Sequence, residues 1–152
     1  MSSTYSVFRQ TKDYNCAAGA VAFFVYLNSG KTLDVDRITE KLRCDPEEGT
    51  PHKPIIEYLR YLFRYDNYIV KSVNSPLLTD VKFPLLVNYY DGEDGHYGVI
   101  ISLFMQGEES MCELFNPATG EIEHIKWDDF QKSWYSPRYG KKWCLFVTKK
   151  GS

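Results

Sequence analysis

What this chain lacks narrows it first. Its four cysteines, at 16, 44, 112 and 144, form no CxxC pair and no zinc-like spacing, so neither a dithiol redox motif nor a zinc module is encoded. The first fifteen residues are polar and lack the basic-then-apolar layout of a secretion signal, so reduced thiols and a cytoplasmic setting are expected. The longest apolar run, Ala17 to Leu27, is too short to span a bilayer, and no membrane insertion is expected. A formal charge of -2 provides no general attraction to nucleic acid or to anionic lipid. Repeats, linkers and low-complexity tracts are absent too, so residues 1–152 read as one domain. Gly151-Ser152 is compatible with a cloning remnant.

What is present is an ordinary globular composition, 43% hydrophobic and 25% charged, enough for a real core in a chain of 152 residues. The halves differ in texture. Cys16 to Leu27 is Ala-rich and too long for a buried strand, and Asn28-Ser29-Gly30 is a helix stop. "LDVDRITEKLR" spaces Val35, Ile38 and Leu42 for one helical face. "GTPHKPIIEYLRYLFR" offers Thr50 as N-cap and Pro51 as first helical residue. After that come short segments rich in β-branched and aromatic residues: "YIVKSV", "FPLLVNYY", "HYGVIISLF", "MCELFN", "EIEHIKW" and "WCLFVT". "WDDFQKSW" interrupts them as a helical turn. Helices first and antiparallel strands second predict an α+β fold, with the N-terminal helices packed on a C-terminal sheet.

One junction raises a chemical question. The polar lead "QTKDYN" ends at Cys16, where the apolar helix starts. Cys16 could be the first packed residue of a core helix. Alternatively, unpaired N–H groups and the positive dipole end of a first helical turn favour a thiolate there. Gln10, six residues earlier, is either an exposed loop amide or a donor that joins the Cys16 N–H in an oxyanion hole.

A second constellation lies among the strands. His96 begins one strand and Asn116 ends the next, and the turn signal between them is at Gln106-Gly107. A hairpin closed there sets His96 opposite Asn116, while a slip of one residue turns them to opposite faces. The pair reads as a surface histidine beside a turn asparagine, or as a ring oriented by an amide so that its other nitrogen serves a nucleophile. His52 and His124 have no cysteine or carboxylate at ligand spacing and read as solvated, so no metal site and no cofactor are expected. The basic cluster from Arg138 to Lys150 reads as a solvated sheet edge, with contact to an acidic partner as the alternative.

Together these strings resemble a known family. Gln-x5-Cys opening an apolar helix, then "GHYGVI", then "NPATGEIEHIKWDDFQKSW", is similar to the papain-like cysteine peptidases that process bacteriocin and pheromone precursors after a double-glycine leader. The likeness extends to "LRCDPEEGTPHKPIIEYLRYL" and to "FPLLVNYYDGEDGHYGVI", and so covers nearly the whole chain. It implies a papain-like fold and a peptide or protein substrate. In that reading Cys16 is the nucleophile, His96 the base, Asn116 its orienter and Gln10 the oxyanion donor. Two departures stand out: Asn15-Cys16-Ala17 replaces an acidic residue followed by Cys-Gly, and Asn116-Pro117 replaces Asp-Pro. Neither transporter helices nor an ATPase motif accompany the domain here, and with Met1 at the start a free-standing relative is expected. A deamidase or acyl transferase on the same thioester chemistry, and a non-catalytic peptide-binding module, remain open alternatives.

Overall fold

The apolar run beginning at Cys16 is a helix in the computed structural model, α1 (Cys16–Ser29). The structure describes residues 5–140 and 142–151. Ser152, half of the suggested cloning remnant, lies outside the described residues. Every residue from Ala17 to Val25 is buried, because a helix apolar on all sides can only sit inside. Gly30 ends α1 with φ 76°, and its N–H donates to the Tyr26 carbonyl at 2.8 Å. Two amphipathic helices follow. Asp34 caps α2 (Val35–Leu42) through the Arg37 N–H, burying Val35, Ile38 and Leu42. Helix α3 is His52–Leu62 with Pro51 itself at the cap position, one residue later than the sequence suggested.

The second half is a six-stranded sheet: β1 (Tyr68–Asn74), β2 (Leu85–Tyr90), β3 (Gly95–Gln106), β4 (Glu109–Asn116), β5 (Glu121–Lys126) and β6 (Trp143–Lys149). The strand order is β1-β6-β2-β3-β4-β5, antiparallel throughout. Helices α1 to α3 bring Phe23, Leu42 and Ile55 into one core with Val99, Phe115 and Leu145 of the sheet. Phe23 stacks on Phe115 with centroids 4.2 Å apart. A contact of this kind makes truncation of the ring to Ala cost about 3–5 kcal/mol. A short helix, α4 (Trp127–Ser133), covers a second core in which Trp127, Phe130 and Trp134 pack with Leu85, Ile100 and Leu114. The fold is α+β as expected, and α4 adds a layer of its own.

The β3–β4 register differs from the simple hairpin. Gln106 faces Glu109, so the apex lies later than Gln106-Gly107, and Ser102 faces Glu113. Continued without interruption, that register would put His96 and Asn116 on opposite faces. A shift at Ile101 corrects it: beyond this point Ile100 faces Leu114 and Val99 faces Phe115. By extension Asn116 lies opposite Gly98. His96 is two residues further along the same face, a diagonal neighbour rather than a direct one. The extra residue in β3 is therefore what puts the imidazole and the carboxamide on a common side.

Candidate active site

Cys16 is the first residue of α1 and is partly exposed. The loop before it is tied down by Asn15, which is fully buried. The Asn15 Oδ1 accepts from the Lys12 N–H at 2.8 Å, and its Nδ2 donates to the hydroxyls of Thr11 and Thr39, each at 2.9 Å. Thr39 belongs to α2, so this asparagine fastens the approach to Cys16 onto the neighbouring helix. Nothing in the residue types flags it, since the partner that fixes it to the fold, Thr39, lies 24 residues away.

His96, on β3, is buried; Asn116 hydrogen-bonds to it, and Cys16 interacts with its ring. The Nε2 of His96 is 2.9 Å from the Asn116 Oδ1. A carboxamide oxygen only accepts, so Nε2 carries the hydrogen and Nδ1 is left for the thiol. Burial works against a charged ring here, but the hydrogen bond and charge of Cys16, then Asn116 and Asp91, outweigh it, and the pKa of His96 lies above its ordinary value. Tyr89 of β2 pairs directly with His96 and meets its ring edge-on, with centroids 5.5 Å apart.

Asn116 closes β4. Its Oδ1 also accepts from the Ala118 N–H at 2.9 Å, and its Nδ2 donates to Glu123 Oε2 at 2.9 Å. In the sequence Glu123 is one residue of the strand segment "EIEHIKW". Its place in the row was hidden in the sequence, because it depends on the β4–β5 register, in which Leu114 faces Glu123.

Gln10 approaches by its backbone: its N–H donates to the Pro117 carbonyl at 2.7 Å, next to Asn116. Its side-chain Nε2 donates to the Lys12 carbonyl at 2.8 Å, and its Oε1 is buried without a partner. The close approach depends on Gly19, where an added Cβ would lie 2.6 Å from the Phe8 carbonyl and 2.8 Å from the Pro117 Cβ. A glycine at this helix position thus brings together the Gln10 segment, the Asn116 turn and the first turn of α1.

Beside Cys16 a small cleft of about 50 Å³ runs between the 45–49 and 136–140 turns, with Tyr14, Thr50, Asn88 and Tyr139 in its walls. Arg138 joins the two turns through Glu48 Oε2 and the Glu47 carbonyl. His52 is half-buried rather than solvated. It stacks on Trp143 with centroids 4.0 Å apart, its Nδ1 is 2.7 Å from the Tyr97 hydroxyl, and burial lowers its pKa to about 4. His124 does reach solvent, 3.5 Å from Glu113.

No protein-family model matches the chain, and no curated protein does. Solved structures do. The peptidase domain of Streptococcus ComA, a bifunctional ABC transporter involved in a quorum-sensing pathway, superposes with TM-score 0.73 at 17% identity, covering 96% of this chain and 99% of that one. A double-glycine-motif protease from an AMS/PCAT transporter, solved with its leader peptide, gives TM-score 0.69 at 15% identity over 93% of this chain and 89% of that one. The peptidase domain of Streptococcus mutans ComA gives 0.61 at 17% identity, covering 95% and 99%. The chain therefore has the fold of the double-glycine peptidase domains, which is the likeness its sequence strings implied.

Proposed function

We propose that this protein is a thiol-dependent hydrolase, a cysteine peptidase that cleaves a peptide or protein substrate through an acyl-enzyme. The observation that carries the reading is the line from the Cys16 thiol to His96 and on to Asn116, with the imidazole held at 2.9 Å by the carboxamide. His96 takes the proton of Cys16 on Nδ1. The thiolate attacks the scissile carbonyl, and the oxyanion is met by the Cys16 N–H at the start of α1 and by the Gln10 amide hydrogen not engaged with Lys12. Imidazolium Nδ1–H protonates the leaving amine. Water, deprotonated by the neutral ring, then releases the acyl group and regenerates the thiol.

The leader peptide bound in one structural relative supports a peptide as substrate class. The test is a peptide library digested by the wild-type protein and by Cys16→Ala. Cleavage products that vanish with Cys16→Ala support the peptidase. A mass gain of about one dalton without chain cleavage would assign the thioester chemistry to deamidation instead. Undiminished cleavage by Cys16→Ala would remove the proposal.

A further inference from the structure

Asn116 is held at both ends, and the two ends are not equivalent. On one side its Oδ1 accepts from the Ala118 N–H and from His96 Nε2, each at 2.9 Å. On the other its Nδ2 meets Glu123 Oε2 at 2.9 Å. An ionised carboxylate only accepts and a backbone N–H only donates, so one orientation of the carboxamide satisfies both. With that orientation set, His96 must carry its hydrogen on Nε2, and Nδ1 is the nitrogen that can take a proton from Cys16. Among the described residues Glu123 takes part in no ion pair, whereas Glu113 and Glu109 of the neighbouring strand meet His124 and Lys126. Its carboxylate is turned to the carboxamide instead.

We infer that Glu123 is a positioning residue: by fixing the orientation of the Asn116 carboxamide it selects the tautomer of His96 that can serve Cys16. This rests on His96 being the base in the proposed peptidase, but it can be read out without any substrate. The groups bearing on the ring are Cys16 from α1, Tyr89 from β2, Asp91 from the turn after it, and Asn116 from β4 with Glu123 behind it on β5. Tyr89 is held neutral by burial, its pKa raised far above the ordinary range. Of these groups only Asn116 hydrogen-bonds the ring at Nε2, so its orientation decides the tautomer.

Three substitutions separate the possibilities, each with thermal unfolding as a check on folding. Glu123→Gln keeps an acceptor for Nδ2 and retains alkylation of Cys16 by iodoacetamide within about threefold. Glu123→Leu offers no acceptor and leaves the Ala118 N–H alone to hold the carboxamide, weakening its preference for one orientation. Nitrogen-15 NMR at a pH where the ring is neutral then shows the Nδ1–H form gaining population, and Cys16 alkylation near neutral pH falls roughly tenfold. Glu123→Lys offers only donors and pushes further the same way; if it fails to fold, the Gln and Leu variants decide the matter alone. A tautomer balance and an alkylation pH profile in Glu123→Leu equal to the parent's would overturn the inference, and so would slower alkylation with both unchanged, which is a packing effect. If no peptide is ever cleaved while the tautomer moves as described, the peptidase reading fails and the role of Glu123 stands.

Discussion

The Asn116 carboxamide oxygen bonds the ring of His96, one diagonal step from Gly98, which the β3–β4 register extended past Val99–Phe115 sets opposite Asn116. A side chain at 98 would crowd the residues that flank this step. A Cβ there would lie 3.0 Å from the Phe115 carbonyl, 3.0 Å from Tyr89 Cε1 and 3.2 Å from Leu114 Cδ1. Tyr89 is also the ring against which His96 rests. Gly98→Ala is expected to displace Tyr89 or β4 by a few tenths of an ångström, at a stability cost of about 1–2 kcal/mol. If His96 serves Cys16 as proposed, a small shift of its ring has an amplified effect, so alkylation of Cys16 should fall roughly tenfold. Chemical denaturation and timed labelling give the two numbers. A variant with a lower melting point and parental labelling would show that Gly98 serves the sheet alone.

Much of this arrangement could be read from residue types. The helix from Cys16 is legible because Ala-rich, wholly apolar residues run up to a glycine stop, and the strands because β-branched and aromatic clusters alternate with turn signals. The meeting of His96 and Asn116 was foreseen from a hairpin whose apex was misplaced, and the error was cancelled by the register shift at Ile101. Nothing in "VIISLF" marks that shift, since it depends on how Ile101 packs toward the helices. Asn15, Glu123 and the buried side of His52 were missed for a common reason. Each depends on partners brought by tertiary structure: Thr39 of α2, Asn116 of β4, Trp143 of β6. Thr50 was expected as an N-cap. In the fold its carbonyl accepts from the Tyr97 hydroxyl at 2.6 Å instead.

The four thiols should react in a definite order. Burial pushes Cys112 up to about 11 and Cys144 up to about 12, so near pH 7 only a minute fraction of either is thiolate. Cys44 is also raised, chiefly by burial. Cys16 is partly exposed at a helix start and paired with His96. Brief labelling with iodoacetamide at pH 7, followed by peptide mapping, should find Cys16 modified at least about tenfold faster than the other three. Comparable modification of Cys44 and Cys16 would count against an activated thiolate.

His96 provides a check on its interaction with Cys16 from the other side. The largest single influence on its ring is burial, which disfavours charge, and the contacts with Cys16 are the main reason its pKa is nevertheless raised. Cys16→Ala removes both the hydrogen bond and the charge. The ring should then titrate at lower pH than in the wild type, below about 6.5 if burial prevails over Asn116 and Asp91. The sign carries over to stability. In the wild type a raised His96 contributes stability that is present below about pH 6.5 and is lost as pH rises through the folded pKa. NMR titration of the ring in both proteins measures the difference directly, and an unchanged midpoint would show that Cys16 and His96 do not share a proton.

His52 sets a different dependence, on the acid side. Its ring lies flat against Trp143, with 7° between planes, and burial lowers its pKa from 6.5 to about 4. The folded state therefore binds fewer protons here than the unfolded chain between those values. Its contribution is fully present above about pH 6.5 and is lost as pH falls toward 4. The full shift corresponds to somewhat over 3 kcal/mol, and allowance for the ring's partial contact with solvent leaves on the order of 2 kcal/mol. Carboxylates also titrate in the lower part of this window, so the informative quantity is the difference between two proteins. His52→Phe keeps a ring against Trp143, gives up the bond to the Tyr97 hydroxyl and cannot take up a proton. It should be less stable than the wild type at pH 7.5, with the gap closing or reversing at pH 4.5. Urea unfolding at the two pH values decides the point: a constant gap would place the titrating group elsewhere in the fold.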